Sequence, residues 1–565
     1  MNHLERYAFW RNSNLPKDIQ AELKSIENND EEIKSRFGND LQFGTAGMRG
    51  LMGAGSNRLN RYTVRRAAQG MASWLSSTDL PQKAAIGYDS RHNSELFAQV
   101  CAVAFAEKGI VTYLFDRLAP TPMLSFAVRE LECGCGIVIS ASHNAGAYNG
   151  VKCYGPDGCQ MTDEPAAIVT ETISHIPYFV PEQKPFDAYL QTGLIRYINQ
   201  GLWERYYDTV LAEAVNPSVI RNAGLNVVYT PLCGTGNEPV REVLGRLGVN
   251  ITVVKNQELP DGNFTTCEYP NPETDAALNE SYKVASKVSC DVILGTDPDC
   301  DRVAIAVRDG CGFRKLTGNE LGCMLLDYIL KARTQKGDIP ADAIVVRSIV
   351  SSPLADRIAA HYGVTMKAVL TGFKYIGGEI LKLEQQGQEN KFIFGFEESC
   401  GYLKGTYARD KDAVVASMLV CEMAASLKQN GKTILDALDD MYQSYGYYLA
   451  HVQSVELTGA DAMEKAAAMM SSLRGSIPAT IGGAPVSAVL DYCSGIETDI
   501  ASGNQNNIDL PRSNVLEFVL NTAGSVIARP SGTEPKVKFY YTAVGANKQA
   551  AQELLNKMVK QISKG

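Results

Sequence analysis

The chain has 565 residues, a net charge of −9 and fourteen cysteines. It is too long for one hydrophobic core, so we expect roughly three or four domains. The acidic balance provides no basic surface for nucleic acid, and any bound anion must be held by local Arg and Lys side chains. These properties suit a protein that binds a small phosphorylated metabolite.

The cysteines include no CxxC pair, which favours reduced thiols and a cytoplasmic location over disulfides or a cysteine metal site. The first residues, MNHLERYAFWRN, carry charges where a signal peptide needs its apolar region. The apolar stretch 414–427 is interrupted by Glu422. We therefore expect neither an export signal nor a membrane-spanning helix.

Strand and helix patterns alternate along most of the chain. A strand at 84–90 is followed by an apolar helix at 96–109, which Gly109 closes, and by a strand at 111–115. This alternation is typical of α/β domains.

Further strands are predicted at 225–232, 250–254, 290–297, 343–352 and 391–399, with a helix that ends near Gly248. The tail differs, because residues 525–544 form two strands around a loop before an amphipathic helix. We divide the chain into three α/β domains with mixed sheets and a smaller C-terminal α+β domain. Their predicted bounds are 1–205, 206–315, 316–445 and 446–565.

Ser142 follows a buried strand that ends at Ile139, in the polar, glycine-rich loop SASHNAGAYNG. Ligand sites in open α/β sheets lie just past strand ends. His143, Asn144 and Lys152 are donors or cations suited to phosphoryl oxygens. The loop therefore predicts a phosphate site around Ser142, although an ordinary turn whose Ser and Asn cap a helix would have similar residues.

Three carboxylates follow another buried strand in the segment GTDPDCDR. Asp297, Asp299 and Asp301 stand at alternate positions, a pattern of hard oxygen ligands that suits magnesium, and Arg302 could bind the same phosphate. An EF-hand is excluded because Arg302 and Arg308 occupy the positions of its required Gly and Glu. A phosphatase that uses its first aspartate as a nucleophile also has a strand followed by DxD. It would have Thr or Val in place of Asp301, so this alternative is disfavoured.

Two glycine-rich segments have different interpretations. In FGTAGMRGLMGAGSNRLNR (43–61), the backbone amides and Arg49 could line an anion site, but the GK[ST] ending of a nucleotide P-loop is missing. The segment CGTGNEP (233–239) lacks the third glycine of a dinucleotide turn, and Asn256 stands where a ribose-binding acid is expected. We interpret this second segment as a structural turn.

The later segments carry groups suited to a sugar phosphate. GFEESCGY (395–402) presents Glu397 and Ser399 after a strand, and TGFKYIGG (371–378) contains Lys374. RPSGTEPK supplies a compact set of phosphate donors, which are Arg529, Ser531, Gly532 and Thr533.

Taken together, the ordered segments FGTAGMRG, SASHN, DPDCDR, FEESCGY and RPSGTEPK resemble the α-D-phosphohexomutase superfamily over nearly the whole chain. The N-terminal segment, with GYDSRH (87–92), PTP (120–122) and PNPE (270–273), is most similar to its phosphoglucomutase 2 and phosphopentomutase branch, which includes bacterial phosphoglucomutase/phosphomannomutase enzymes. The resemblance implies four domains arranged around a central cleft.

The resemblance also implies roles for individual residues. Ser142 would be the phosphoserine and would join Asp297, Asp299 and Asp301 in holding one Mg²⁺ per chain. Arg49, His143 and Lys152 would act at the reacting phosphate, with Lys152 as a general acid/base. Substrate would be bound by the remaining residues, which are Thr45, Arg302, Lys374, Glu397, Ser399, Arg529, Ser531, Gly532 and Thr533.

Three positions depart from the family pattern. The usual TASHNP is SASHNA in this chain, with Ser140 in place of Thr and Ala145 in place of Pro. Tyr402 stands where the bacterial phosphomannomutase branch has His, which leaves the second acid/base unassigned.

The implied activity is that of a phosphoglucomutase, an isomerase that interconverts glucose 1-phosphate and glucose 6-phosphate through a phosphoserine enzyme and a sugar 1,6-bisphosphate, with phosphomannose as a further substrate. A phosphopentomutase and a glucose 1,6-bisphosphate synthase are the alternatives. A non-enzymatic sugar-phosphate-binding regulator is disfavoured because Ser142, Lys152 and the three aspartates are intact. We expect a cytoplasmic monomer or homodimer without nucleic-acid or membrane partners.

Overall fold

The structure is a computed structural model that describes residues 1–44, 47–458, 462–531 and 536–562. The chain forms two compact units. The first contains Met1–Thr317, Ile376–Phe394 and Ser399–Asn430, and the second contains Gly318–Tyr375, Gly395–Glu398 and Gly431–Gly565.

The N-terminal part begins with three helices and continues as alternating strands and helices. Its elements are α1 (His3–Arg11), α2 (Lys17–Ser25), α3 (Asp30–Phe37), β1 (Gly47–Leu51), α4 (Arg61–Ser76), β2 (Lys83–Tyr88), α5 (Ser94–Ala106), β3 (Val111–Leu114), α6 (Thr121–Glu130), β4 (Cys135–Ile139), β5 (Tyr148–Tyr154), α7 (Asp163–His175), α8 (Phe186–Gln191), β6 (Ile195–Tyr197) and α9 (Gln200–Ala212).

The next part carries the predicted metal loop between two of its strands. Its elements are α10 (Pro217–Ala223), β7 (Asn226–Thr230), α11 (Asn237–Arg246), β8 (Asn250–Val253), α12 (Asp275–Ala285), β9 (Val292–Thr296), β10 (Val303–Asp309) and β11 (Gly312–Lys315).

The remaining elements lead from the third predicted domain to the C-terminal helix. They are α13 (Gly318–Lys336), β12 (Ile344–Ser348), α14 (Leu354–His361), β13 (Thr365–Val369), α15 (Phe373–Glu384), β14 (Phe392–Glu397), β15 (Gly401–Lys404), α16 (Ala413–Gln429), α17 (Ile434–Tyr445), β16 (Tyr447–Glu456), α18 (Ala462–Gly475), β17 (Thr480–Ile481), β18 (Ala484–Pro485), β19 (Ala488–Asp491), β20 (Ile496–Asp499), β21 (Gln505–Asn507), β22 (Leu516–Val519), β23 (Gly524–Pro530), β24 (Lys536–Gly545) and α19 (Lys548–Ile562).

The first unit contains two mixed sheets. One has the order β1-β5-β4-β2-β3-β6, and the other has the order β11-β10-β9-β7-β8. In the first sheet β4 pairs in parallel with β2 and antiparallel with β5, and in the second β9 pairs in parallel with β7 and antiparallel with β10. The predicted strands at 84–90, 111–115, 225–232, 250–254 and 290–297 are confirmed. The helix predicted at 96–109 ends three residues early, because Glu107–Gly109 form a turn in which Gly109 has a left-handed φ of +76°.

The strands that carry the site are buried along their whole length. Every residue of Cys135–Ile139 and of Val292–Thr296 is buried, so both strands are central and apolar as their sequences predict. The small residues of α5 let this helix pack closely, and Ala98, Ala102 and Val103 join the core of the first sheet. Both site loops therefore leave from rigid strands.

The second unit contains a parallel pair, β12 and β13, and a seven-stranded antiparallel sheet of order β16-β24-β23-β22-β19-β20-β21. The two predicted tail strands are β23 and β24, and the predicted helix is α19, so that expectation is confirmed. One core of this sheet includes residues of α18 and α19, and a separate apolar cluster joins Ile349 and Leu370 to Ile527 and Tyr540.

Across the described residues, no helix combines the length and the apolar character needed to cross a bilayer. The apolar stretch that Glu422 interrupts lies in α16, where the Glu422 carboxylate is buried and accepts hydrogen bonds from the backbone N–H groups of Val215 and Asn216.

Candidate active site

Ser142 lies three residues beyond the end of β4 and is buried, with 3% of its surface exposed. Its backbone has a φ of 52°, in the left-handed region that non-glycine residues rarely adopt, and its N–H donates to Ser140 Oγ at 2.8 Å. Its hydroxyl donates to Asp297 Oδ2 at 2.8 Å and lies 3.2 Å from His143 Nδ1. The Ser142 side chain is thus directed at the predicted metal loop.

The three aspartates of the metal loop converge in the first unit. Asp297, Asp299 and Asp301 are at most 1% exposed, and each offers a carboxylate oxygen within 4.8 Å of the other two. The backbone N–H groups of Asp301 and Arg302 donate to Asp297 Oδ1 at 3.1 and 3.0 Å, which fixes that carboxylate. The structure thus brings the three predicted ligand carboxylates together.

The loop CGTGNEP is a structural turn that supports the metal loop. The N–H of Thr235 donates to the carbonyl of Pro298 at 2.8 Å. A Cβ at Gly234 would lie 2.4 Å from the Pro298 Cα, so only glycine fits at this close approach. The expected structural interpretation of this loop agrees with these contacts.

Two lysines lie against the carboxylates. Lys152, on β5, donates to Asp299 Oδ2 at 2.5 Å and to Asp301 Oδ2 at 3.2 Å, and Lys411 lies 2.9 Å from Asp301 Oδ2. Thr121 Oγ1 also donates to Asp299 Oδ2 at 2.7 Å. Lys411 and Thr121 escaped the sequence analysis, although Lys411 stands in the charged run RDKD before α16 and Thr121 in the PTP segment.

The two lysines give the three aspartates different pKa values. Burial opposes ionisation of Asp299, but Lys152 outweighs it and lowers the pKa of that carboxyl. The pKa of Asp301 is also lowered, because Lys152 and Lys411 overcome burial and the charge of Asp299. Burial and the two neighbouring carboxylates instead raise the pKa of Asp297. The carboxyls that the two ammonium groups contact thus have lowered pKa values, whereas Asp297, which burial and the other two carboxylates affect most, has a raised one.

The pKa values of the lysine and the histidine of the site are shifted in opposite directions. The pKa of Lys152 is raised because Asp299 and Asp301 outweigh its burial. The pKa of His143 is lowered by burial and by Arg302 and Arg49 nearby, so its ring is neutral at pH 7. Lys152 is therefore an ammonium in this state.

The aspartate cluster fits a divalent cation. Within the described part of the chain, Asp299 Oδ1 and Asp301 Oδ1 are buried carboxylate oxygens with no hydrogen-bond partner. Buried acceptors without a partner are costly, and a hard cation that takes oxygen ligands would satisfy them. Ser142 Oγ, through its contact with Asp297, stands where it could complete the ligand set.

The two arginines predicted for this unit have defined partners. Arg49, on β1, donates to Asn144 Oδ1 at 3.1 Å and so reaches the Ser142 loop. Arg302 donates to Glu273 Oε1 at 2.9 Å, in the PNPE segment. The structure thus brings Ser142, His143, Lys152, Arg49, Arg302 and the three aspartates together in one unit.

The other predicted substrate residues do not all lie in the first unit. In the second unit, Glu397 Oε1 accepts from the N–H of Gly372 at 2.7 Å. Lys374 Nζ lies 5.2 Å from the centroid of the Tyr375 ring. Ser399 is half-buried in the first unit, beside Cys400, which has a left-handed φ of 61°.

Arg529 stands near the end of β23, where it pairs in register with Lys538, and the N–H of Ser531 donates to the carbonyl of Lys536 at 2.9 Å. Burial, followed by the charge of Glu398, raises the pKa of Tyr540 to about 12, and Arg529 opposes that rise, so Tyr540 lies near both Glu398 and Arg529 in the second unit. Thr45, Gly532 and Thr533 lie outside the described residues.

Known proteins match the chain along most of its length. The phosphoglucomutase of Staphylococcus epidermidis strain RP62A is 37% identical over 522 residues, which is 92% of this chain and 94% of that protein. The solved structure of parafusin, a phosphoglucomutase from Paramecium, in its open form, has a TM-score of 0.66 at 16% identity and covers 93% of this chain and 94% of that one.

A second solved structure is that of Aspergillus fumigatus N-acetylphosphoglucosamine mutase in complex with GlcNAc-6P and magnesium. It has a TM-score of 0.53 at 16% identity and covers 97% of this chain and 99% of that one. These two structures show that the fold is shared.

Four segments match the successive domains of one family. Residues 40–178, 204–310 and 317–445 match the α/β/α domains I, II and III of phosphoglucomutase/phosphomannomutase, and residues 496–561 match its C-terminal domain. The predicted four-domain architecture is therefore confirmed, and the chain belongs to the phosphoglucomutase/phosphomannomutase family.

Proposed function

We propose that this protein is a phosphoglucomutase, which interconverts glucose 1-phosphate and glucose 6-phosphate. The observation that carries the proposal is the hydrogen bond from Ser142 Oγ to Asp297 within the buried aspartate cluster. The S. epidermidis phosphoglucomutase, which aligns over 92% of the chain, supports glucose as the sugar. Phosphomannose is proposed as a secondary substrate.

Ser142 is the proposed carrier of the phosphoryl group. Phosphoserine gives its phosphoryl group to the free hydroxyl of a bound sugar phosphate, so the bond from Ser142 Oγ to phosphorus breaks and a sugar 1,6-bisphosphate forms. The bisphosphate then reorients within the site, so that its other phosphate faces Ser142. That second phosphoryl group is transferred to Ser142, and the sugar monophosphate product is left. The two half-reactions share one site because they are chemically alike.

The proposed metal is one Mg²⁺ per chain, held by Ser142, Asp297, Asp299 and Asp301. Bound there, the cation would neutralise negative charge on the transferred phosphoryl group and on the carboxylates. The A. fumigatus mutase, solved with magnesium, supports this choice. The unpartnered oxygens of Asp299 and Asp301 support the same ligand set.

Lys152 is the proposed general acid/base, and Lys411 is a second ammonium at the same carboxylates. The charges of Asp299 and Asp301 keep Lys152 protonated in this state. Once those charges are neutralised, Lys152 Nζ can release its proton and accept one from the attacking sugar hydroxyl. Arg49 and the neutral His143 donate to phosphoryl oxygens near Ser142, and Arg302 binds the same group.

The remaining residues are proposed to bind the parts of the substrate that do not react. Glu397 and Ser399 accept hydrogen bonds from sugar hydroxyls. The distal phosphate is bound by Arg529, Ser531, Gly532 and Thr533. Thr45 and Lys374 are further proposed substrate-binding residues. Binding energy of this kind orients the reacting hydroxyl.

The domain bounds 1–205, 206–315, 316–445 and 446–565 stay predictions.

We also propose that the protein acts in the cytoplasm on free sugar phosphates, as a monomer or homodimer without a nucleic-acid partner. Light scattering of the purified protein would determine its oligomeric state.

A coupled assay tests the proposed function. Glucose 1-phosphate is supplied with a trace of glucose 1,6-bisphosphate, and the glucose 6-phosphate formed is oxidised by its dehydrogenase with production of NADPH. Mannose, glucosamine and ribose phosphates are tested in parallel. We expect the highest kcat/KM for glucose 1-phosphate. Turnover of ribose 1-phosphate without turnover of glucose 1-phosphate would instead establish a phosphopentomutase.

A further inference from the structure

Arg91, in the loop after β2, holds the backbone of the Ser142 loop. Its side chain is 0% exposed. Its guanidinium donates to the carbonyl of Ser142 at 2.6 Å, to those of Ala145 and Tyr148 at 2.9 Å each, and to that of Asn144. One side chain thus binds four carbonyls within seven residues of the loop.

Arg91 is itself held from two sides. Asp89 Oδ2 lies 3.3 Å from Arg91 Nε, and Asp89 Oδ1 accepts from the backbone N–H of Arg91 at 3.0 Å and from Ser94 Oγ at 2.8 Å. The ring of Phe264, which is 1% exposed, lies 4.9 Å from the guanidinium carbon. Both the charge and the flat face of the guanidinium therefore have buried partners.

The Ser142 loop needs such support because its conformation is unfavourable by itself. Ser142 has a left-handed φ of 52°, which persists in a protein only where the surroundings impose it. The family's usual proline, which would stiffen the backbone, is replaced by Ala145. The Ala145 carbonyl is one of the four that Arg91 binds.

We propose that Arg91 is a positioning residue for phosphoryl transfer, which fixes the direction of the Ser142 hydroxyl by binding the loop carbonyls. The inference rests on the proposed function, because the Ser142 hydroxyl is taken to carry the phosphoryl group. The hydrogen bonds and the ion pair described for the Arg91 side chain go to the loop carbonyls and to Asp89, so its effect passes through the backbone of residues 142–148.

Arg91→Lys tests this role, because a lysine keeps the charge beside Asp89 but its single ammonium cannot reach four carbonyls. Arg65→Lys is the matched control. Arg65 is also a buried arginine, on α4, with a side chain that is 5% exposed. It forms an ion pair with Glu107 at 2.7 Å. Amide hydrogen exchange, kcat, KM and the rate at which glucose 1,6-bisphosphate phosphorylates Ser142 are measured for both variants.

For Arg91→Lys we expect faster exchange confined to residues 140–149, and a kcat about a hundredfold lower, the effect of a small misplacement of a reacting group. KM should stay within about threefold of the parent value, because substrate contacts are unchanged. Phosphorylation of Ser142 should slow together with kcat. Arg65→Lys should leave both the loop exchange and kcat close to those of the parent protein.

The proposal is overturned if Arg91→Lys matches Arg65→Lys in loop exchange and in kcat. If Arg91→Lys does not fold, Asp89→Asn replaces it, since loss of the counter-charge should loosen the same residues; unchanged exchange at 140–149 in that variant also overturns the proposal. Hydrogen exchange does not depend on turnover. A parent protein that converts no sugar phosphate would therefore refute the proposed function while the loop exchange still decides the role of Arg91.

Discussion

The Ser142 hydroxyl donates a hydrogen bond of 2.8 Å to Asp297 Oδ2, although the two residues stand 155 positions apart in the chain. Each follows the end of a buried strand, β4 for Ser142 and β9 for Asp297. The contact joins the proposed phosphoryl carrier to the proposed metal site without any intervening side chain.

Ser142→Ala removes the oxygen that would carry the phosphoryl group. We expect kcat for glucose 1-phosphate to fall at least about a thousandfold, because the covalent carrier of the phosphoryl group is lost. The coupled assay measures this change. Ser174→Ala, at an exposed helical position of the same N-terminal part, should keep full activity. A Ser142→Ala enzyme as active as Ser174→Ala would refute the assignment.

Removal of the divalent cation should abolish turnover reversibly. Thorough treatment with EDTA leaves the aspartate oxygens without their cation, and Mg²⁺ added in excess of the chelator should restore the rate. Asp299→Asn should raise the Mg²⁺ concentration needed for half-maximal activity. Asp309→Asn, at the exposed end of β10, is the control and should leave that concentration unchanged. Full activity in EDTA would contradict the role of the cluster.

Lys152→Met separates acid/base chemistry from metal binding. We expect kcat to fall between about 10²- and 10⁴-fold, the usual contribution of a positioned proton-transfer group. Mg²⁺ should bind the variant at least as tightly as the parent, because the ammonium that pairs with Asp299 and Asp301 is lost. Calorimetric titration measures that affinity. Lys283→Met, an exposed helical substitution, should change neither quantity. Weaker Mg²⁺ binding by Lys152→Met would contradict the expectation that its ammonium opposes cation binding.

Arg529→Gln tests the proposed grip on the distal phosphate in the second unit. We expect KM to rise about ten- to a hundredfold, because one charge-assisted hydrogen bond contributes roughly 1.5–3 kcal/mol. The phosphoserine content should be unaffected. Lys557→Gln, on the exposed side of α19, serves as the control for loss of a positive charge. A KM that is equal in the two variants would remove Arg529 from the site.

The sequence was informative wherever a motif follows a buried strand. The runs 136–139 and 292–294 are apolar enough to identify as strands, and the position of Ser142 and Asp297 after them predicts that both lie at strand ends. That the two loops then meet depends on how two sheets pack, which no local pattern encodes.

The supporting residues were harder to find for the same physical reason. Arg91 and Lys411 act on segments that lie far from them in the chain, through contacts with the Ala145 carbonyl and with Asp301. A buried arginine or lysine has no sequence pattern of its own, because its partners are set by tertiary packing. The left-handed backbone of Ser142 likewise follows from its surroundings rather than from serine itself.

The most direct test of the account is the mass of the intact purified protein before and after incubation with glucose 6-phosphate. We predict a population heavier by one phosphoryl group, mapped to Ser142 by peptide sequencing, which disappears as glucose 1,6-bisphosphate appears in equal amount. A protein that turns over glucose 1-phosphate with Ser142 never phosphorylated, or with a phosphoserine that glucose 6-phosphate does not discharge, would contradict the account.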